Sequence, residues 1–411
     1  MSTNATVNLQ DMLTQYLPND LITEEFAKEN FLWNLFEKDR SWKNGTDYVI
    51  PWEFAKSADM QMGGLVLDAD IGDLGVYKKA VKTNQPQLFG ALKFQQKDLE
   101  RYGDLKQSFL KLLPGKVSDF TEYMKFVVPC ILLRGGAICT ATANGTVGGV
   151  LAVDRPQYLM LNQRVMIKDN DSVAVIGFIR SIDMTAKTIT VYNARTGGAV
   201  VDLSTYTIAQ KAKVFIPGAD TENFSTFQSY LLPAALGGSD TIHGVSKSSA
   251  PILQPQLFDG STWTSTNILD KLYDTYYDVK TLGKCKETEL LVPYSVFKAC
   301  SKVMQSSKRF VDGEKKSGYG FNQITLVGAE GEMKITGMVD MPNDSIYMIN
   351  KDDFLIAGDK FFEKNKQADG NEYFTVRGTG GYYHIMDIEA RFDLIAKKLS
   401  SSAAVYGLTL T

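Results

Sequence analysis

The stretch EEFAKENFLWNLFEKDRSWKNGTDYVIP, Glu24–Pro51, leads from a predicted helix directly into a predicted strand. The helix is expected over Thr23–Asp39, because Thr23 can cap it and the two glutamates of its first turn suit the positive end of the helix dipole. Three aromatic residues at helical spacing give it an apolar face: Phe26, Trp33 and Phe36. The strand is expected within Asn44–Phe54, after a turn. About twenty polar residues precede the helix with little to fix them in place, so they are predicted to form an arm rather than a domain.

Downstream of this strand, the sequence predicts a long two-stranded excursion that ends near Phe94. Glycines interrupt the chain repeatedly between the two strands, and no helical periodicity is present. An aspartate-rich span, LVLDADIGDLG, precedes a lysine-rich one, VYKKAVKTNQPQLFGALKF, and neither composition suits a buried core. An isolated two-stranded ribbon is only marginally stable in water, so this one is expected to need a partner surface.

Length and composition limit the possible classes of protein. A chain of 411 residues is long enough for about two or three domains. The formal net charge of -3 argues against a dedicated nucleic-acid binder, which usually has a strongly basic face. The apolar run Phe126–Leu133 is too short to span a membrane, and the N-terminus lacks the pattern of a signal peptide. Four cysteines lie far apart in apolar surroundings, which favours buried thiols over disulfides or zinc: Cys130, Cys139, Cys285 and Cys300.

Two helices are predicted between the excursion and the next group of strands. The first covers residues 95–113, is interrupted at Gly103, and is stopped by Pro114 and Gly115. The second, Ser118–Arg134, is the clearest helix of the chain, with a capping box at its start, a kink at Pro129 and two glycines at its end. We therefore expect two separate helices in this part of the sequence.

The second half of the chain alternates between strands and helices. Short alternating strands and turns follow one another from Arg155 to Pro217, which predicts a small β-barrel or sandwich inserted between helical segments. A helix is expected over Asn267–Gly283, then a short strand and a further helix. The last eighty or so residues are predicted to be mostly strands. In the last long strand, three residues share one face: His384, Met386 and Ile388.

Residues that could carry out chemistry are few. The sequence has two histidines, His243 in a polar loop and His384 on the apolar side of the last long strand. We expect His243 to be a solvated loop residue and His384 to be packed and hydrogen-bonded. Patterns for a calcium loop, a phosphate loop and a nucleophile elbow all fail at required positions. The sequence therefore gives little support for an enzyme, and neither a catalytic residue nor a cofactor or metal is expected.

In this order, the elements resemble the major capsid proteins of tailed bacteriophages, which have the Hong Kong-type fold. The resemblance is carried by Glu24–Pro51, the loop that continues to Phe94, the helix Ser118–Arg134, and the stretch Glu289–Gln305. It implies an α+β chain with an inserted small β-barrel-like subdomain. The implied divisions are an N-terminal arm (1–44), an extended β-loop (45–95), a spine helix with peripheral domain (96–154), the inserted β subdomain (155–217), a mainly axial domain (218–340), and return strands of the peripheral and axial domains (341–411).

The resemblance leads to a hypothesis for a contact between copies. The extended loop would lie over a neighbouring subunit, and its aspartate-rich and lysine-rich spans would be the two sides of one self-complementary contact repeated around a shell. The residues expected to contact another copy are Asp68, Asp70, Asp73, Lys78, Lys79 and Lys82. Some relatives cross-link a loop lysine to a neighbour's asparagine, but solvated or salt-bridged lysines are the preferred interpretation here.

The function implied by this resemblance is an icosahedral head shell that encloses double-stranded DNA. The subunits would form hexamers and pentamers, contact packaged DNA without sequence specificity, and have no contact with a membrane. Separate scaffolding, portal and decoration proteins are the further implied partners, with assembly in the cytoplasm of a bacterial host and a final location in the virion. The alternatives are an encapsulin-like compartment shell, another virion component such as a tail-tube or baseplate protein, and a β-barrel-containing enzyme.

Overall fold

The computed structural model describes residues 30–43, 46–53, 77–82, 85–100, 105–169, 174–208, 212–218, 224–249, 251–283, 288–307, 324–328, 331–365, 372–378 and 381–409. They belong to two compact units. Unit 1 is formed by the described parts of Met1–Leu35, Gln85–Phe224 and Gly358–Asp393, and unit 2 by those of Phe36–Asn84, Ser225–Ala357 and Leu394–Thr411. Each unit thus combines segments that are distant in the sequence.

Helices and strands are both well represented, which confirms the predicted α+β class. The α-helices of the described residues are α1 (Phe31–Leu35), α2 (Gln96–Glu100), α3 (Leu105–Arg134), α4 (Phe227–Leu231), α5 (Ile268–Gly283) and α6 (Tyr294–Ser307). The strands are β1 (Glu37–Asp39), β2 (Tyr48–Glu53), β3 (Tyr77–Lys82), β4 (Gln87–Gln95), β5 (Ala137–Thr140), β6 (Val150–Ala152), β7 (Arg164–Lys168), β8 (Val175–Asp183), β9 (Thr188–Tyr192), β10 (Lys213–Phe215), β11 (Thr241–Ile242), β12 (Val245–Ser246), β13 (Gln256–Asp259), β14 (Thr288–Pro293), β15 (Ile324–Gly328), β16 (Gly331–Met338), β17 (Ile346–Ile349), β18 (Phe354–Lys364), β19 (Phe374–Gly378), β20 (Gly381–Ala396) and β21 (Ala403–Tyr406).

The N-terminal helix is shorter at its C-terminal end than the sequence predicts. Asn30 caps the described helix α1 by accepting the amide of Trp33 at 2.9 Å. The predicted last turn is instead the short strand β1, which pairs in parallel with Leu355–Ala357. The prediction of helix up to Asp39 was therefore wrong, because backbone pairing with a distant strand replaces local helical bonds there. Residues 23–29 lie outside the described part of the chain.

Helix α3 is continuous where the sequence predicts two helices. It contains Pro114 in its interior, so the predicted stop at this residue and the predicted start near Ser118 were both wrong. A proline inside a helix removes one hydrogen bond and disturbs the preceding turn. Buried Leu113 and Val117 stand one turn apart across the proline and extend the apolar face that continues to Met124. Packing of this face offsets the cost of the Pro-Gly pair.

The end of helix α3 is the predicted one. Gly135 and Gly136 have positive φ angles of 68° and 86°, which glycine adopts without steric cost. The amide of Gly135 donates to the carbonyl of Ile131 at 2.9 Å, and that of Gly136 to Cys130 at 3.1 Å. These bonds satisfy carbonyls of the last helical turn.

A six-stranded sheet of unit 1, in the order β5-β10-β7-β8-β9-β6, closes into a small barrel. Its two outer strands meet at an antiparallel bridge between Ala141 and Val153. The amide of Thr142 donates to the carbonyl of Ala152 at 2.9 Å and that of Asp154 to Thr140 at 3.0 Å. The core is a row of buried aliphatic residues that includes Val165, Ile167, Ile179, Ile189 and Val191. The predicted barrel-like subdomain is thus confirmed, and its first strand begins at Ala137 rather than near Arg155.

The long strand β20 organises a second sheet, which includes unit 1 residues. It pairs with β19 on one side of the sheet order and lies next to β18 on the other, and β4 pairs with it over the whole length Gln87–Gln95. The predicted excursion to Phe94 was therefore too long, because β4 belongs to this sheet. Trp33 packs edge-on against three rings of these strands, with centroid distances of 5.1–5.5 Å: Phe361, Phe362 and Phe392.

Unit 2 is built on a six-stranded mixed sheet in the order β13-β21-β17-β14-β16-β15. Helices α5 and α6 were both predicted, and each buries one face in the core of this unit. From α5 the buried residues are Ile268, Leu272, Tyr276 and Val279, at the helical spacing used for the prediction. Among the residues that the structure describes, β13 is an edge of the sheet, because β21 is the one strand that pairs with it there.

Candidate subunit interface

Strands β2 and β3 form an antiparallel ribbon, and this sheet has only these two strands among the described residues. The register places Tyr48 opposite Lys82 and Trp52 opposite Lys78, while Lys79 is opposite Pro51. The described part ends at Glu53 and Tyr77, and residues 54–76 between them lie outside it. The predicted two-stranded excursion is therefore confirmed for its base.

One face of the ribbon is fixed to unit 2 by buried side chains. Ile50 and Trp52 are 3% and 1% exposed. The indole Nε1 of Trp52 donates to the carbonyl of Ala396 at 3.2 Å, and its ring lies 6.3 Å from the imidazole of His243. Val49, the strand residue before Ile50, remains 47% exposed. Alternation along a strand explains this difference, and it leaves an apolar residue on the opposite face.

The start of the ribbon is held by a tyrosine and a tryptophan. The hydroxyl of Tyr48 donates to Oδ2 of Asp39 at 2.7 Å, and its ring lies 5.4 Å from that of Trp42. Burial and the bond to Asp39 raise the pKa of Tyr48. For Asp39, partial burial acts to raise the pKa, but hydrogen bonds from Tyr48 and Ser41 outweigh it and the pKa is lowered. The carboxylate is therefore charged at neutral pH and orients Tyr48.

The six predicted contact residues are described by the structure to different extents. Asp68, Asp70 and Asp73 lie outside the described residues. For Lys78 and Lys79 only the backbone is described, as part of β3. Lys82 is half-buried, and its Nζ lies 3.4 Å from Oγ of Ser225 in the same chain. The lysine strand thus has a backbone partner, β2, within its own chain, and the contact between lysine and aspartate spans stays a hypothesis.

The two histidines are both held by hydrogen bonds. His384 was predicted to be packed and bonded, and its Nδ1 lies 3.0 Å from Oγ1 of Thr375, with burial lowering its pKa. His243 was predicted to be solvated, which was wrong: it is half-buried, and its Nε2 lies 3.0 Å from the hydroxyl of Tyr230. Its positive φ of 48° belongs to a tight turn between β11 and β12. The polar loop sequence gave no indication of these ring contacts.

The other predicted chemistry has the following outcome. Cys130, Cys139 and Cys300 are buried thiols, as predicted, and burial raises the pKa of Cys139 and Cys300. Burial raises the pKa of Cys300 to about 12, so this thiol is protonated at neutral pH. Cys285 lies outside the described residues. Within the described part of the chain, His, Cys, Asp and Glu side chains form no group of three that could hold a metal ion. Over the same residues, no helix is long and apolar enough to cross a membrane.

A buried lysine is the feature of unit 2 that the sequence did not reveal. Lys247 is only 9% exposed, and its Nζ donates to the carbonyls of Ser229 and Leu232 at 2.7 and 2.9 Å. These carbonyls belong to the end of helix α4, where a cation is favourable. Burial lowers the pKa of Lys247 to about 8. The surrounding sequence, GVSKSS, is polar and rich in serine, a pattern typical of an exposed loop.

No family model matches the sequence, and no curated protein matches it either. Solved structures do match over nearly the whole chain. The capsid asymmetric unit of cyanophage A-1(L) is 10% identical, with 93% of each chain covered and a TM-score of 0.48. The capsid of a native GTA particle is 9% identical, covering 92% of this chain and 90% of that one, with a TM-score of 0.46.

A match of a different kind is the encapsulin complex from Synechococcus elongatus PCC 7942. It is 8% identical and covers 99% of this chain and 92% of that one, with a TM-score of 0.36. The chain thus matches capsid structures and an encapsulin structure over most of its length. At TM-scores below 0.5, these similarities assign no role to any residue.

Proposed function

We propose that this chain is the major capsid protein of a tailed bacteriophage, a subunit that assembles into an icosahedral shell around double-stranded DNA. The observation that carries the proposal is the ribbon of β2 and β3. It pairs with no further strand of the described residues and leads into a glycine-interrupted, aspartate-rich span at residues 54–76. The base of the ribbon is covered on one face by unit 2 through Ile50 and Trp52, and its other face carries the exposed Val49. Because a two-stranded ribbon is marginal in water, this second face needs a further surface to cover it.

Identical copies supply such a surface without a dedicated partner. A contact in which one patch of a subunit meets a different patch of the next is heterologous, and repetition of it gives closed assemblies when the rotation closes. Each exposed ion pair in such a contact contributes only about 0–1 kcal/mol, but the contact recurs at every subunit. The six charged residues of the loop are proposed to take part in it, as hexamers and pentamers form.

The proposed role is structural rather than enzymatic. Both histidines are hydrogen-bonded to other side chains. The pKa values of Cys139 and Cys300 are raised, so these two thiols are poor nucleophiles at neutral pH. The proposal includes non-specific contact with packaged DNA, a final location in the virion, assembly in the bacterial cytoplasm, and separate scaffolding, portal and decoration proteins. These partners follow from the shell function.

Electron microscopy of the purified protein tests this function directly. Closed icosahedral particles, filled with DNA when isolated from infected cells, are the expected result. Small closed particles with protein cargo would instead indicate a compartment of the encapsulin kind, and tubes a tail component. Monomers at all concentrations, with or without a scaffolding protein from the same genome, would overturn the shell proposal.

A charge reversal tests the loop lysines. Because Lys82 is bonded to Ser225 within the chain, the sharper variant changes the other two: Lys78→Glu with Lys79→Glu. We expect this variant to fold and to give few or no particles in the microscope. The matched control, Lys298→Glu with Lys302→Glu, makes the same charge change on exposed residues of helix α6 and should assemble. Equal particle yields from both variants would contradict a role of these lysines.

A further inference from the structure

An open cavity of about 600 Å³ lies in unit 2, beside the edge strand β13. Ten residues line it, of which five are polar or charged, including Asp240 and Lys247. The other five are apolar: Leu231, Leu232, Pro233, Pro255 and Leu257. Leu257 lies on β13 and is 43% exposed. A partly apolar cavity next to a sheet edge can receive an extended segment, because the edge offers backbone hydrogen bonds and the walls receive alternate side chains.

The cavity also contains a buried cation that is hydrogen-bonded to the backbone. The two bonds of the Lys247 ammonium go to neutral backbone carbonyls. The other charged residue of the lining, Asp240, uses its Oδ1 to accept the amide of Ala234 at 3.0 Å. Burial lowers the pKa of Lys247 to about 8 although the charge of Asp240 acts in the opposite direction, so the ammonium is only partly compensated. An occupant that supplies a carboxylate would complete this compensation.

The chain itself contains a segment of matching chemistry. Residues 54–76 include four aspartates and a single lysine, and Leu65–Leu74, LVLDADIGDL, alternates aliphatic residues with three of these aspartates. An extended chain that runs out from the ribbon and back over residues 54–76 reaches at most about 40 Å. Its aliphatic side chains fit the apolar residues of the walls, and its carboxylates complement Lys247. Both the apolar residues and the charges of this segment therefore match the lining of the cavity.

We propose that the cavity of unit 2 receives Leu65–Leu74 of a second copy of this chain, with an aspartate as the counter-ion of Lys247. The proposal rests on the proposed function and specifies it: the aspartate span contacts the Lys247 cavity, and not the lysine strand, of the neighbouring subunit. The contact is heterologous, as a closed shell requires. The lysines of β3 remain available for a separate contact.

Disulfide cross-linking in the full-length chain tests this placement. The variant carries Leu257→Cys at the cavity wall and Asp70→Cys in the proposed occupant. After mild oxidation, we expect disulfide-linked multimers on a non-reducing denaturing gel, and their return to monomer on reduction. The control replaces Leu257→Cys by Asp278→Cys, an exposed position on helix α5, and should remain mostly monomeric. A second control with Leu257→Cys alone shows whether a native cysteine reacts.

Charge removal provides a second, independent test. The triple variant Asp68→Asn, Asp70→Asn, Asp73→Asn should reduce particle yield at least tenfold. The matched control is Glu122→Gln, Asp274→Asn, Asp278→Asn, which removes three exposed carboxylates and should leave the particle yield unchanged. Because Lys247 also caps helix α4, its substitution would affect both the stability of the subunit and the proposed contact. The aspartate variants are therefore the better test of the contact alone.

The two proposals fail in different ways. If the wild-type protein forms no shell but the cysteine pair links two chains, the inference holds and the shell function fails. If shells form while the cysteine pair gives only monomer, or a disulfide within one chain, the shell function holds and the inference is overturned. Equal particle yields from the aspartate variant and from its control would also overturn the inference.

Discussion

Glu389 and Lys360 form an ion pair between neighbouring strands, with 2.6 Å between Oε2 and Nζ, and the glutamate side chain is completely buried. Arg391 bonds the other carboxylate oxygen of Glu389, and its guanidinium lies 3.7 Å from Asp359. Two cations thus depend on one buried carboxylate. A buried ion pair of this kind is costly to break, because the remaining charges stay in a poorly solvated environment.

Replacement of Glu389 by glutamine should therefore destabilise the protein. We expect Glu389→Gln to lower the free energy of unfolding by about 3 kcal/mol, since Lys360 and Arg391 lose their shared counter-ion. Urea unfolding followed by circular dichroism measures the change. The control is Asp274→Asn in the exposed pair with Lys271, which is 3.9 Å apart and should change stability by less than about 1 kcal/mol. Similar effects of both variants would show that burial is not decisive here.

Trp52 provides a test of how the ribbon is fixed. In Trp52→Phe the apolar packing is largely kept, but the carbonyl of Ala396 loses its donor, so a loss of about 1–2 kcal/mol is expected. Particle yield should fall as well, because the base of the ribbon loses its orientation. Val49→Ala changes the exposed residue of the same strand and should leave the free energy of unfolding within about 0.5 kcal/mol of wild type. A fall in stability with Val49→Ala and none with Trp52→Phe would contradict the described packing.

Two glycines should respond to alanine in opposite directions. Gly115 lies inside helix α3, and a Cβ there would have no neighbour within 4 Å, so Gly115→Ala should stabilise by about 0.5–1 kcal/mol. At Gly90 of β4, a Cβ would lie 2.2 Å from Cε2 of Phe120, and Gly90→Ala should destabilise by about 1–3 kcal/mol. Thermal unfolding of both variants measures the difference, and a change of the same sign would be evidence against this packing of β4 on α3.

The buried ammonium of Lys247 predicts a pH dependence of the free subunit. Its pKa is lowered from 10.5 to about 8 by burial, so the folded chain binds this proton less tightly than the unfolded chain. The free energy of unfolding should then increase as the pH rises from about 8 towards 10.5, since the unfolded state binds more protons there. Urea unfolding over this interval measures the effect. In Lys247→Met the free energy of unfolding should rise less over this pH interval, because the lysine no longer contributes. The same pH dependence in the variant and in the wild type would contradict this prediction.

Much of the fold follows from local patterns in the sequence. The apolar face of α5, the glycine end of α3 and the alternating strands of the barrel all result from periodicity and from backbone preferences of single residues. Their prediction succeeded because few long-range contacts are needed to decide them. The same reasoning failed at Pro114, where an apolar face that continues across the proline outweighs its local preference for a helix end.

The candidate interface could be predicted only in outline. Glycine breaks and opposite charges in the sequence indicate a protruding ribbon. They do not show which strand pairs with β3, and they do not show that β4 belongs to another sheet, where it pairs with β20. Lys247 lies in a serine-rich loop whose composition is typical of solvent-exposed chain. Lys247 is buried because its ammonium bonds carbonyls at the end of helix α4, 18 and 15 residues earlier in the chain. No pattern in the residues around Lys247 indicates this contact. Contacts of this kind are decided by tertiary packing alone.

The closed barrel provides a place where one domain of the chain can be exchanged for another. Its first and last strands are paired, with Ala137 opposite Phe215, and the amide of Ile216 donates to the carbonyl of Gly136 at 3.3 Å. The polypeptide thus enters and leaves this module at adjacent points. A foreign domain with closely spaced ends could therefore be grafted there in its place.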